Sequence, residues 1–162
     1  MAILNVIKVN DDVDGILRKV CKPVEKFDTK LHKLLDDMHD TMLNDDILGG
    51  LAAPQVGVLK RVIVINVNNF YIELVNPEII AKSDKMYPCR ESCASVPGVR
   101  RRIARPRKVT VQYFDREGNK FSIESREWMA HLFQHELDHL DGILLTDRPE
   151  TLPKEQQNQG GA

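Results

Sequence analysis

His135 and His139 lie four residues apart with Glu136 directly after the first, an H-E-x-x-H pattern inside Gln134-His-Glu-Leu-Asp-His139. On a helix, positions i and i+4 share one face, one turn apart. Two imidazoles so placed can hold one metal ion, and a carboxylate beside the first can take the proton of an attacking water. The spacing therefore predicts hydrolytic chemistry. Two hydrogen-bonded core histidines are the competing reading of the same pattern.

His131 stands a turn earlier on roughly the same face. Four residues rise about 6 Å, so His131 and His139 are about 12 Å apart along the axis, against metal–nitrogen bonds of about 2.1 Å. One ion cannot use all three histidines. The pair flanking the glutamate is the better ligand pair, and His131 is assigned to the pocket wall or the core.

A site of this kind needs a third ligand. The longer zinc-protease pattern H-E-x-x-H-x-x-G-x-x-H holds as far as Gly142 but requires histidine where the chain has Leu145. Glu150 and Glu155 lie in a stretch without helical periodicity. The third ligand is therefore expected upstream, where Cys89 and Cys93 both occur in Pro88-Cys-Arg-Glu-Ser-Cys93. A thiolate would complete a Cys-His-His set with one position open. Spacing alone does not separate the two cysteines, and either is also readable as a small buried hydrophobe.

The elements that must position these residues follow from periodicity. Leu31, Leu34, Leu35, Met38 and Met42 recur at helical spacing after Asp28, a good N-cap, which predicts an amphipathic helix over 29–43. His32 and His39 fall within it and read as surface or boundary histidines rather than ligands. Residues 1–27 read as irregular, with a short helical stretch near 12–21. Val62–Val67 and Phe70–Val75 read as strands joined at Asn68-Asn69, with Asn76-Pro77 ending the second. Further strands are predicted over 79–86, 108–114 and 120–124, the last two joined by the turn Asp115–Asn119. A second long helix, starting at Glu124 or Ser125 and ending before Gly142, carries the H-E-x-x-H and is apolar on much of its surface. The expected fold class is α+β: antiparallel strands around a central helix, with an N-terminal helix. Residues 1–150 are expected to form a single catalytic domain and 151–162 a polar, frayed tail.

Composition narrows the class. The chain has 162 residues, 42% hydrophobic and 29% charged, with a net charge of -1. This suits one soluble domain, and bulk charge calls for neither nucleic acid nor membrane. No apolar run approaches the roughly 20 residues of a membrane span, and the N-terminus has no secretory pattern. Three cysteines do not make a disulfide framework, which points to a reduced, cytoplasmic compartment.

Taken together, Gly50-Leu-Ala-Ala-Pro-Gln55, Glu91-Ser-Cys-Ala-Ser95 and Gln134-His-Glu-Leu-Asp-His139 resemble, in order, the three motifs of the peptide deformylases: G-φ-G-φ-A-A-x-Q, E-G-C-φ-S and Q-H-E-x-D-H, with φ apolar. Ile16-Leu-Arg18, Pro23-Val24 and Phe27-Asp28 extend the resemblance, which runs from about residue 3 to 148. The chain departs from the family at Leu48, where glycine is usual, at Ser92, again for glycine, and at Ala94, for leucine.

The resemblance implies that Cys93, His135 and His139 hold one divalent ion, natively Fe2+, with Zn2+ or Ni2+ as substitutes. It implies Glu136 as the proton carrier, and the Gln55 amide with the Ala94 backbone N–H as oxyanion donors. The implied substrates are N-formylmethionyl peptides of nascent proteins, with formate released. Gly50, Arg100, Trp128, His131 and Leu132 are then the candidates to contact substrate. The ribosome is an implied partner, the membrane is not, and a monomer is expected.

Arg100–Lys108 carries six basic residues in nine. It reads either as a nucleic-acid surface or, for Arg101, Arg102 and Arg105, as a solvated, charge-guarded edge. Two rival functions accompany the deformylase reading: a zinc endopeptidase of H-E-x-x-H type, and a non-catalytic ribosome- or RNA-binding relative.

Overall fold

The computed structural model describes residues 2–47 and 49–152. Leu48 and the 153–162 part of the expected tail lie outside the described residues. Among the described residues, two α-helices and seven strands follow in the order α1 (Thr29–Asn44), β1 (Gly49–Ala52), β2 (Val62–Val67), β3 (Phe70–Lys82), β4 (Met86–Cys93), β5 (Val96–Pro106), β6 (Lys108–Phe114), β7 (Lys120–Arg126) and α2 (Glu127–Leu140). Short 3-10 turns at Val9–Asp11, Ile16–Arg18, Ala53–Val56 and Leu145–Asp147 complete it. The predicted helical stretch over 12–21 is thus the single turn Ile16–Arg18, fastened by Asp12, whose carboxylate accepts from the Ile16 and Leu17 N–H groups.

All strand pairings are antiparallel. Five strands form a sheet in the order β1-β2-β3-β6-β7, and β4 and β5 form a separate two-stranded ribbon. β2 explains how the sheet serves two helices. Its Val62 and Val64 point to α1, packing with Leu31, Leu35, Met38 and Met42. Its Ile63, Ile65 and Val67 point the other way, to Phe133, Leu137 and Leu140 of α2. A strand buried on both faces reads as an unbroken apolar run, which Val-Ile-Val-Ile shows. The Asn68-Asn69 turn is as expected: both residues have positive φ, 49° and 65°, as a tight two-residue hairpin requires. Asp28 caps α1 by accepting from the Leu31 N–H at 3.1 Å.

Three boundaries differ from expectation. Asn76-Pro77 does not end β3; the strand runs through it to Lys82 over a bulge between Val75 and Glu78. Asn76 adopts φ 50° there and anchors the bulge with its side chain, which bonds both the N–H and the C=O of Val24. The strand expected over 79–86 is therefore the end of β3, and the cysteine segment forms a strand of its own. Finally, α2 begins at Glu127. β7 holds the chain extended through Arg126, and Glu127 takes φ 56° to turn it into the helix.

α2 lies between the sheet and the β4–β5 ribbon, and every residue from Phe133 to Leu140 is buried. This is the central helix that the apolar spread of its sequence predicts.

Candidate metal centre

Three elements meet along α2. β1 and the turn after it approach from one side, and the end of β4 approaches from the other. Alternation along β4 turns Cys89, Glu91 and Cys93 to the same inward face. Only Cys93, at the strand's end, reaches the helix histidines. The ligand-type atoms of Cys93, His135 and His139 all lie within 4.8 Å of one another, and Cys93 Sγ is 3.3 Å from His139 Nε2. This is the only such group of three among the described residues. Cys89 stands apart, half-buried, its thiol near the Arg90 carbonyl at 3.7 Å.

The surroundings fit a cation. His139 Nδ1 and Glu136 Oε2 are buried with no hydrogen-bond partner among the described residues. Burial works against a charged His135, yet its contacts with Cys93 and Glu91 and the charge of Glu136 push it up to about 10. Sulfur and carboxyl groups thus converge on this ring, at the place a metal ion would take. A thiolate and two imidazoles form a donor set suited to iron or zinc.

Glu136 is fully enclosed. Burial raises its pKa to about 7, with the charge of His135 opposing and those of Glu91 and Asp138 adding to the rise. A carboxyl poised near neutrality can both accept and return a proton. Its position leaves no room at Gly50, where an added Cβ would meet Glu136 Cγ at 2.6 Å. That contact explains the glycine in the first motif.

Gln55 is held by three contacts. Its Oε1 accepts from the Ala52 N–H at 2.9 Å, and its Nε2 donates to Ser95 Oγ at 3.1 Å and lies 3.7 Å from Cys93 Sγ. A cavity of about 430 Å³ opens over these groups. Gly50, Ala94, Trp128, His131 and Leu132 all line it. Trp128 is half exposed at the rim, whereas His131 is buried. Both ring nitrogens of His131 are engaged, Nδ1 with Glu91 Oε2 at 2.5 Å and Nε2 with the Tyr87 carbonyl at 2.6 Å. Arg100 is not among the lining residues. It is exposed on β5 opposite Ser92, and the arginine at the cavity is Arg90.

Sequence reasoning missed the layer behind the ligands. His135 donates from Nδ1 to Glu91 Oε1 at 3.0 Å, which leaves its Nε2 facing the site. Arg105 grips Glu91 through two bonds, at 2.6 and 3.0 Å, and reaches Asp138 at 2.8 Å. Burial raises the Glu91 carboxyl, but bonds from His131, His135 and Arg105 outweigh it and hold the group well below the usual carboxylate range. Arg105 is therefore no solvated edge residue: it is 4% exposed, and the reading of the basic run is corrected at this position. The signal was present in the alternation, because Ile103 and Arg105 share the inward phase of β5. Arg101 also turns inward, donating to the Thr146 and Arg148 carbonyls at 3.3 and 3.0 Å.

A cysteine sulfur and two helix imidazoles beside a buried glutamate, under an open cavity, make up the layout of a metal-dependent hydrolase. Comparison with known proteins gives the particular kind. Residues 3–155 match the family model described as polypeptide deformylase. The chain is 48% identical over 140 residues to a peptide deformylase of Acetivibrio thermocellus, covering 86% of this chain and 81% of that one. It is 50% identical over 141 residues to one from Caldicellulosiruptor bescii, covering 87% and 84%. The crystal structure of peptide deformylase from Thermotoga maritima superposes with a TM-score of 0.87 at 36% identity, over 93% of this chain and all of the other. The chain belongs to the polypeptide deformylase family.

Proposed function

We propose that this chain removes the N-formyl group from N-formylmethionyl peptides of nascent proteins, releasing formate and a free amine. The observation that carries the reading is the convergence of Cys93, His135 and His139, with Cys93, His135, Glu136 and Gln55 lining one cavity. Cys93, His135 and His139 would hold one divalent ion, Fe2+ natively and Zn2+ or Ni2+ as substitutes. Such an ion supplies Lewis acidity and makes water nucleophilic near neutral pH.

The remaining steps belong to the protein. Glu136 takes the proton of the attacking water and passes it to the leaving amine, a role suited to a carboxyl near pH 7. Gln55 Nε2 and the Ala94 N–H stabilise the oxyanion, each such donor being worth on the order of 2.7–4 kcal/mol of barrier. Gly50, His131, Leu132 and Trp128 wall the cavity for the methionine side chain. Residues 1–150 act as one catalytic unit, monomeric and cytoplasmic. No described helix is long and apolar enough to cross a membrane.

Formate release from formyl-Met-Ala-Ser, with iron kept reduced, tests the reading, with the acetylated peptide as control. Formate from the formyl peptide alone is the expected result. Cleavage of internal peptide bonds without formate would establish an endopeptidase instead. Neither product would leave a non-catalytic relative.

A further inference from the structure

The two oxyanion donors come from separate sheets. Gln55 lies in the Ala53–Val56 turn after β1, an edge strand of the five-stranded sheet, and Ala94 lies in the turn that joins β4 to β5. No strand of the ribbon pairs with a strand of the larger sheet among the described residues. Two donors serve one oxyanion only at a fixed spacing, so the fold needs a tie between these turns. The bond from Gln55 Nε2 to Ser95 Oγ is one such tie, made by side chains.

A second tie is made by the main chain near the N-terminus. The Ile7 N–H donates to the Gln55 carbonyl at 2.7 Å, and the Val9 N–H to the Ser95 carbonyl at 2.9 Å. Ser95 directly follows Ala94. Lys8, between the two donors, is extended, with φ -105° and ψ 149°. Alternate N–H groups of an extended chain point to one side, roughly 6.6 Å apart. One short segment therefore spans both turns, and the Gln55–Ser95 side-chain bond closes the ring. The segment is itself anchored upstream. The Ala2 and Leu4 N–H groups donate to Asp37 Oδ1 and Thr41 Oγ1 of α1, at 2.9 and 2.8 Å. Val6 is buried with Leu31, Leu35 and Met38 of that helix.

We propose that Ile7 and Val9 are positioning residues for deformylation: their N–H groups set the spacing between the Gln55 amide and the Ala94 N–H. The proposal rests on the deformylase reading, which makes those two groups the oxyanion donors. Neither Ile7 nor Val9 is among the residues that line the cavity, so both act through the residues they hold. The oxyanion exists only in the course of reaction, so a wrong spacing slows the chemical step and leaves substrate binding intact.

Val9→Pro deletes one of these N–H groups with little other change. Val9 opens the Val9–Asp11 turn, where the fixed φ of proline fits, and Lys8 already has the extended backbone favoured before proline. The Val9 side chain is exposed, so no core packing is lost. Formate release from formyl-Met-Ala-Ser by the metal-loaded full chain reads the effect. In Val9→Pro, kcat should fall about tenfold to a hundredfold while KM and metal content hold. Val9→Ala keeps the N–H and should recover the rate that Val9→Pro loses. Added to Gln55→Ala, Val9→Pro should cost little further rate, because spacing matters only while both donors are present. Unchanged kcat in Val9→Pro, an equal loss in Val9→Ala, a defect confined to KM, loss of metal in step with rate, or full additivity with Gln55→Ala would each overturn the proposal. Absence of formate from the unsubstituted chain would sink the deformylase reading and this proposal with it.

Discussion

Glu91 Oε1 lies 3.0 Å from His135 Nδ1, so the residue two positions before Cys93 orients the first histidine of the helix. Partners of this kind typically tune metal affinity by about 10–100-fold. Glu91→Gln is expected to weaken metal retention by that order while leaving Cys93, His135 and His139 in place. Competition against a chromophoric chelator measures it. Affinity equal to that of the unsubstituted chain would show that the contact orients nothing.

The same carboxylate sets an acid limit on stability. Its folded-state pKa is depressed, so its contribution is complete above the ordinary carboxylate value and is lost as pH falls towards the folded value. Breaking a buried pair such as Glu91–Arg105 costs on the order of 3–5 kcal/mol. Urea midpoints of the metal-free chain and Glu91→Gln should differ most between about pH 5 and 6, below the ordinary histidine value, and converge in stronger acid. A gap that widens in acid is the contrary result.

Glu136→Ala separates chemistry from metal binding. The carboxyl is adjacent to the ligands without being one of the three, so metal content is expected to hold while turnover falls by about 10²–10⁴. Metal analysis beside formate release reads both. Turnover close to that of the unsubstituted chain would remove Glu136 from the mechanism.

Gly50 should tolerate no side chain. A Cβ there would come within 2.6 Å of Glu136 Cγ, forcing the carboxyl from its position. A displacement of about 1 Å can cost on the order of 10² in rate. Gly50→Ala is expected to show that loss with metal and thermal midpoint little changed, and an unimpaired rate would mean that Glu136 has freedom to move.

The two cysteines give a chemical contrast. Cys93→Ala should lose the metal and Cys89→Ala should keep it, as metal content of the purified variants will show. Among the thiols, Cys21 is raised to about 11 by burial, so alkylation near pH 8 should spare it in the native state. Rapid labelling of Cys21 without denaturant would contradict its placement in the core.

The helix spacing of His135 and His139, the β2–β3 hairpin and the α1 cap were legible because each depends on neighbours in the chain. Asn76-Pro77 misled because proline usually interrupts a ladder. Here a bulge and the side-chain grip on Val24 carry β3 through it. Spacing alone did not separate Cys93 from Cys89, since both share one face of β4 and only its end meets α2; the motif resemblance was what implied Cys93. Arg105 was hidden by company: five other basic residues from Arg100 to Lys108 made a solvated run the natural reading. Its strand phase, matching Ile103, was the contrary clue.

Gln55 has a preset polarity. With its oxygen committed to the Ala52 N–H, the amide cannot turn end over end, and only its NH2 group is left for the cavity. A substrate therefore meets a donor that never presents itself as an acceptor. The entropy of choosing that orientation is lost once, when the chain folds, rather than in every catalytic cycle.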